Sequence, residues 1–469
     1  MSLRRPNGFI SAGYDPLEVP NAPTIGTASV ASATSVSVTF TAPSNVGGSA
    51  ITGYVATAKK TSDGTTISGT GSSSPVTISG LTTGSAYTVT VAAVNSFGLG
   101  VSSAASNSVT PLDSQLWSWG GNEFGKLGLN NTVNRSSPVQ IGSLTTWRNM
   151  SAGSQAAFVT KTDGTLWAWG RNNVGQLGIN QDSYANRSSP VQIGALTTWV
   201  RASTVGLSAA ALSTNGSLWT WGFNYTGQLG LGDTASRSSP VQVGGLTNWA
   251  QVSMSSASCV AIKTDGTLWS WGSGQNGQLG LNNETYYSSP KQVGSLTNWS
   301  KVSAAAGQCL SIKTDGTLWT WGYNNNGQLG LGDSGFSAFR SSPVQVGLLN
   351  NWSSLSVGFN FCFAIKTDGT LWAWGANGNG ELGLGDTVPR SSPVQVGSLT
   401  NWAKVSAGQE QRFCFAIKTD GTLWSWGNNY FGQLGDSTVV RRSSPVQVGS
   451  LSTWQEIESG GTSTFGIKG

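Results

Sequence analysis

"KTDGTLWSWG", residues 418–427, decides the fold, because close copies of it recur through most of the chain. Its Trp-x-Trp-Gly core stands with the second tryptophan at 119, 169, 221, 271, 321, 374 and 426, at intervals of 50 to 53 residues. A third tryptophan follows each pair, at 147, 199, 249, 299, 352, 402 and 454, so seven units of three account for all 21. A period near fifty without helical spacing indicates a propeller or a comparable repeat array.

One unit reads as four strands. "NWAKVSAG" (401–408) is a short first strand and "CFAIK" (414–418) a second. "TDG" is a hairpin turn, with Gly421 free to take the positive φ that such turns need. "TLWSWG" (422–427) alternates apolar with small or polar residues and is a third strand. A long Gly/Asn-rich loop follows, then "SPVQVG" (444–449) as the fourth. Four antiparallel strands make a blade. The chain ends on "FGIKG" (465–469), a second strand with its turn cut short, and the repeats open on "DSQLWSWG" (113–120), a third strand. Side by side these rebuild the hairpin. One blade then takes two strands from each end and leaves no long unpaired edge.

The motif "WGxNxxGQLGLG" followed by "RSSPVQVG", as in 221–232 with 237–244, resembles the regulator of chromosome condensation family of seven-bladed propellers over residues 113–469. The resemblance implies the fold. Its members serve as nucleotide-exchange factors, ubiquitin-ligase parts and binding scaffolds. Exchange in the founding member depends on a β-wedge insertion with no counterpart in these loops, so that activity is not implied.

Residues 21–111 change character: no Trp, many Thr, Ser, Val and Ala, and turn signals at sandwich spacing. "LTTGSAYTVTVAAVNSFGLG" (81–100) resembles the fibronectin type III signature, with Leu81 and Tyr87 in tyrosine-corner positions. "ITGYVATAKK" (51–60) matches its third strand, and Phe40 stands where the family has a tryptophan. The fold class is therefore all-β: a fibronectin type III-like sandwich at 21–111, then a seven-bladed propeller at 112–469 closed by its terminal strands. Pro111 and Leu112 leave almost no linker. Residues 1–20 fit neither domain and read as an extended docking arm carrying Arg4, Arg5, Phe9, Ile10 and Tyr14. "NGFISAGYDPLEVPNAPTIG" (7–26) resembles leaders on structural proteins of marine bacteriophages.

Composition narrows the chemistry. Charged residues are 10% of the 469, with a net charge of +5 and no Lys/Arg run, so nucleic acid is not an expected partner. The absence of His removes every His-dependent triad and zinc site. No stretch approaches the roughly 18 apolar residues of a membrane span. The N-terminus breaks at Pro6, Asn7 and Gly8 where a signal peptide needs its apolar run. No metal, cofactor or catalytic residue is expected. Cys259, Cys309, Cys362 and Cys414 each lie twelve residues before a second Trp, where other units place Ala157, Ala209 and Thr464, so the position reads as small core packing. The arginines at 135, 187, 237, 340, 390 and 442 read as ties for their own loops, through carbonyls or a carboxylate such as Asp233. The unit with Tyr286 and Tyr287 lacks that arginine, so its loop should differ.

The loops after the first and third strands vary, whereas the "TDG" and "GSLTNW" turns barely do. The variable loops carry Tyr184, Tyr225, Tyr286, Tyr287, Phe336, Phe339, Tyr430 and Phe431, and "GQEQRF" (408–413) adds Arg412. Phe124, Phe223 and Tyr323 lie in the same loops. Aromatics on loops held by a rigid ring suit a recognition surface, and packing of loop tips on themselves is the alternative. The expectation is a non-enzymatic bacteriophage virion protein, a fibre or surface decoration made in the host cytoplasm. It would contact capsid or tail subunits and a host glycan or protein, without membrane insertion, and oligomerise on the particle. The alternative is a bacterial interaction scaffold.

Overall fold

The computed structural model describes residues 18–111, 114–181 and 185–469, and divides into two compact units, the second beginning at Ser114. The first unit is a sandwich. Strands Thr24–Ser32, Ser35–Thr41 and Val76–Ser79 form one sheet; Thr66–Gly71, Gly53–Lys60, Tyr87–Asn95 and Gly98–Leu99 form the other. Alternate residues turn inward, Val36, Val38 and Phe40 from one sheet meeting Tyr54, Ala56, Val89 and Val91 from the other. Phe40 fills the tryptophan position by packing on Tyr54, ring centroids 4.5 Å apart. The buried Tyr87 hydroxyl accepts the Thr82 N–H at 3.0 Å, which is the tyrosine corner read from the sequence.

The second unit is seven four-stranded antiparallel sheets. In the blade that contains "KTDGTLWSWG" the strands are Trp402–Ala407, Phe413–Lys418, Leu423–Gly427 and Arg442–Gln447. The fourth begins two residues earlier than the sequence reading. Ser425 pairs with Val446 and Gly427 with Arg442, so a bulge carries the ladder past the Ser-Ser-Pro to the arginine. The second strand is buried at all six positions, because both faces of a mid-blade strand pack on neighbouring blades. The first strands adjoin one another around an axial channel.

Closure is as the termini suggest. Ser463–Lys468 pairs on one side with Trp454–Ser459 and on the other with Gln115–Gly120, in unbroken register from Ser463↔Gly120 to Lys468↔Gln115. The closing blade thus takes its inner two strands from the C-terminus and its outer two from residues 115–140.

The repeated residues are the joints between blades. Each second tryptophan is wholly buried, and its indole N–H donates at 2.8–3.0 Å to a carbonyl of the preceding repeat's Gly-Gln-Leu-Gly segment, as Trp271 does to Gln228. The second glycine of that segment is required because a Cβ on Gly230 would stand 2.6 Å from Trp271 Nε1. Its first glycine meets the neighbouring Ser-Ser-Pro strand, where a Cβ on Gly227 would lie 2.7 Å from the Ser288 Cα. At the turn, Asp420 Oδ1 accepts the Thr422 N–H (2.9 Å) and hydroxyl (2.7 Å), and Thr422 Oγ1 accepts the Trp424 indole N–H at 3.0 Å. Lys418 Nζ lies 3.7 Å from the Trp424 ring centroid, which gives this half-buried indole a cation–π contact. Seven copies of one joint close one circle. The four cysteines are free and buried in these interfaces, and burial pushes their thiols well above the usual range, away from nucleophilic or ligand chemistry.

Candidate functional site: the variable loop face

In an antiparallel blade the loops after strands one and three emerge at the same end, so all the variable loops crown one face of the ring. A rigid base holds them. In the loop 222–236, Asn224 is wholly buried; its Oδ1 accepts the Leu229 N–H at 2.9 Å and its Nδ2 donates to the Asp233 and Ala235 carbonyls. Arg237 then closes the loop with an ion pair to Asp233 at 2.6 Å and a bond to the Ala235 carbonyl. Arg390–Asp386 and Arg442–Asp436 repeat the pair at 2.6 and 3.0 Å, and Arg187 uses the Gln181 side chain instead. The arginines are loop ties, as the sequence indicates.

The loop lacking this arginine also has Gly274 in place of the asparagine. Tyr287 occupies the arginine position at the start of its strand, half-buried, with its hydroxyl accepting from Asn283 Nδ2 at 3.3 Å and Lys291 Nζ 5.5 Å from its ring. Tyr286, next to it, is 48% exposed and donates its hydroxyl proton to Gln275 at 3.2 Å.

The other aromatics divide by exposure. Tyr225, Phe336 and Tyr430 stand 79–80% exposed on three different loops, and Phe431 is 37% exposed. Phe339 is half-buried beside Arg340. Tyr184 lies outside the described residues, as do Arg4, Arg5, Phe9, Ile10 and Tyr14 of the arm. The exposed aromatics sit on separate loops, except that Tyr430 and Phe431 are adjacent. Val133, Val388, Val439 and Val440, all 55–63% exposed, extend the apolar part of this face beyond the aromatics read from sequence. Their signal was available: each falls just before an Arg-Ser-Ser-Pro strand, where the side chain has no blade to enter.

Arg412 marks a local exception in the ring. Its backbone is held at φ 53° and its guanidinium sits 3.9 Å from Glu381 and 5.8 Å from the Phe359 ring centroid. Glu381 takes the place of the glutamine in Gly-Gln-Leu-Gly and is wholly buried. Its Oε2 accepts the Asn379 N–H at 2.6 Å while Oε1 has no hydrogen-bond partner among the described residues. Burial raises this carboxyl above the usual carboxylate range, against the opposing pull of Arg412. Lys126, at the same motif position of another unit, is 3% exposed, donates to the Ser154 carbonyl at 3.2 Å and is lowered by burial. Among the described residues no group of three or more Cys, Asp or Glu is placed to hold a metal ion, and no helix is long and apolar enough to cross a membrane.

Comparison with known proteins agrees with this architecture. The model of the regulator of chromosome condensation (RCC1) repeat matches seven segments, the first at 113–159 and the last at 420–467, and that of the fibronectin type III domain matches 21–109. The mitochondrial RCC1 domain-containing protein RUG3 of Arabidopsis thaliana is 31% identical over 117 residues, 24% of this chain and 26% of that protein. The ultraviolet-B receptor UVR8 of the same plant is 31% identical over 96 residues, 20% of this chain and 22% of that one. These alignments span about a quarter of each relative's length. Yeast RCC1 (Prp20), solved with Kap60 bound, superposes with a TM-score of 0.67 at 19% identity, over 76% of this chain and 89% of that one. Human WBSCR16 does so at 0.66 and 19%, over 76% and 98%.

Proposed function

We propose a function from one premise: the chain belongs to the regulator of chromosome condensation (RCC1) repeat family, whose propeller is a protein-interaction fold. The reading is a non-enzymatic binding protein that uses its variable loop face for the contact. One observation carries it. Tyr225, Phe336 and Tyr430 project almost fully into solvent from loops whose bases are pinned by buried asparagines and arginine ion pairs. A large apolar ring left in water on a fixed base costs stability and favours a partner that buries it. Replacing Tyr225, Tyr286, Phe336 and Tyr430 with Ser should leave the melting temperature within about 2 °C and weaken partner capture at least tenfold, since hot-spot truncations cost ~1–2 kcal/mol or more each. Undiminished capture would move the contact elsewhere.

We further propose that the setting is a bacteriophage virion, in which the N-terminal arm docks on the particle, the sandwich spaces, and the propeller faces outward. The support is the resemblance of residues 7–26 to phage structural leaders. Glu18 donates its N–H to the Gly47 carbonyl at 3.0 Å and Pro20 accepts the Val101 N–H at 3.3 Å, so residues 18–20 are held on the sandwich. Partners would be capsid or tail subunits and a host-surface protein or glycan. The rival setting, an interaction scaffold inside a cell, is favoured by relatives such as RUG3 and UVR8. A chain starting at Asn21 separates them: on the virion reading it folds but fails to join particles.

A further inference from the structure

The axial channel encloses a cavity of about 590 Å³, within the range of small-molecule sites, yet its walls are polar. The first strands build it in two tiers. Four residues after each third tryptophan comes a serine in six blades, Ser151, Ser203, Ser253, Ser303, Ser356 and Ser406, and Glu458 in the closing blade. These serines clasp the ring: Ser151, Ser203, Ser253, Ser356 and Ser406 Oγ each accept a backbone N–H of the next blade at 2.9–3.1 Å. Acceptance leaves the hydroxyl proton of each serine available.

The second tier lies two residues after the tryptophan, toward the "TDG" end of the channel, and holds Arg201, Lys301, Lys404 and Glu456. Lys301 and Lys404 Nζ donate only to backbone carbonyls of the next blade, those of Ser353 and Gln455. The Arg201 side chain makes neither a hydrogen bond nor a close ion pair with any described residue, its charge acting on Glu456 and Glu458 from a distance. Three exposed cations from three blades therefore line a polar shaft with no carboxylate among the described residues within ion-pair distance.

We propose that this channel is a binding site for an acidic sugar, a hydroxylated ring bearing a carboxylate. The charged group takes Arg201 and Lys301; the ring hydroxyls take the serine tier, which donates, and the carboxyl groups of Glu456 and Glu458, which accept. A bare oxyanion uses only the cations and leaves the carboxyl wall facing it. A neutral sugar leaves the cations unpaired. The site lines the axial channel and not the loop tips that carry Tyr225, Phe336 and Tyr430, and it does not rest on that reading.

The pH dependence follows from its surroundings. Glu458 faces Glu456 on its own strand, Lys404 on the neighbouring blade and Arg201 across the channel, with Lys301 on the same wall of the cavity; Arg148 acts on Glu456 from the adjoining blade. Burial and the Glu456 carboxylate push Glu458 up to about 8, so at neutral pH it stays largely uncharged and does not repel an acid.

The test is calorimetric titration of the full chain with D-glucuronate, D-glucose and inorganic sulfate, repeated on Arg201→Gln. That substitution removes no hydrogen bond or close ion pair within the protein, only a screened charge near Glu456 and Glu458, so its melting temperature should change by less than about 2 °C. Glucuronate should bind at least tenfold tighter than glucose or sulfate, lose that margin in Arg201→Gln, and weaken between pH 7 and 9 unless Glu458 is replaced by Ser. The loop variant Tyr225→Ser/Tyr430→Ser should bind glucuronate as the parent does. Sulfate binding as tight as glucuronate, or glucuronate binding indifferent to Arg201→Gln, or none at all, overturns the assignment.

Discussion

Removing residues 463–469 takes the central strand from the closing blade, and the cost is readable from its contacts. Phe465 is 1% exposed and meets Trp169 edge-on at 5.8 Å; Ile467 is 2% exposed. Truncating a buried Phe costs roughly 3–5 kcal/mol and a buried Ile roughly 2–5. The ladder to Trp454–Ser459 and that to Gln115–Gly120 go as well, leaving strand edges on both sides of the gap. The loss is at least ~5–10 kcal/mol against a typical total of 5–15. A closed ring has no other way to satisfy those edges, so the whole propeller should unfold. Tryptophan fluorescence reads this cleanly, because all 21 indoles lie in the repeats and none in residues 21–111. Truncation should red-shift the emission of the full set at 25 °C, while the sandwich still melts separately by calorimetry. In the untruncated propeller, joining Lys468 to Gln115 through a Thr-Asp-Gly turn, with new termini opened in the loop 332–339, should keep the ring closed. A truncated chain that keeps most of its blue-shifted emission, or melts within ~2 °C of the parent, refutes closure as the source of cooperativity.

Four further outcomes follow from single sites. Gly230→Ala places a methyl 2.6 Å from Trp271 Nε1 and should cost ~2–3 kcal/mol through strain at φ 73° and the displaced indole bond, measured by urea titration. Glu458 binds more protons folded than unfolded between its ordinary 4.5 and about 8, so the parent loses stability as pH rises through that window. Glu458→Ser, the residue of six other blades, should remove that slope and gain about 1–2 kcal/mol at pH 9 once channel water is allowed for; an unchanged pH profile contradicts the assignment. Arg390→Ala breaks a half-exposed pair with Asp386 and should cost under ~1 kcal/mol while loosening loop 385–389, seen as faster amide exchange there.

The blade pattern was legible because a strand writes its burial in alternate residues and the ring writes it seven times. Closure was legible because "FGIKG" and "DSQLWSWG" are the halves of one hairpin. The start of the fourth strand was not, because a bulge at Gly427 lets Arg442 pair where simple alternation stops. Among the candidate residues, Tyr286 and Tyr287 are neighbours of one type, yet the first is exposed and the second half-buried at a strand start. Residue type alone does not separate them; the missing Arg at 287 does. The channel went unread for a different reason. Asn149, Arg201, Gln251, Lys301, Ser354, Lys404 and Glu456 share a register position but no chemistry, so they register as variation along the chain and converge only when the ring closes.

The proposed contact face and the proposed virion setting are the two parts of the functional reading, a partner held on the variable loops of a particle component. Cross-linking mass spectrometry on gradient-purified virions tests both halves together. The account predicts the full-length chain in the particles, with links from residues 1–20 to a capsid or tail subunit. Its foreign links from the propeller should fall in the loops that carry Tyr225, Phe336 and Tyr430. A chain absent from particles, or one linked to its partner through the "TDG" turns, contradicts it.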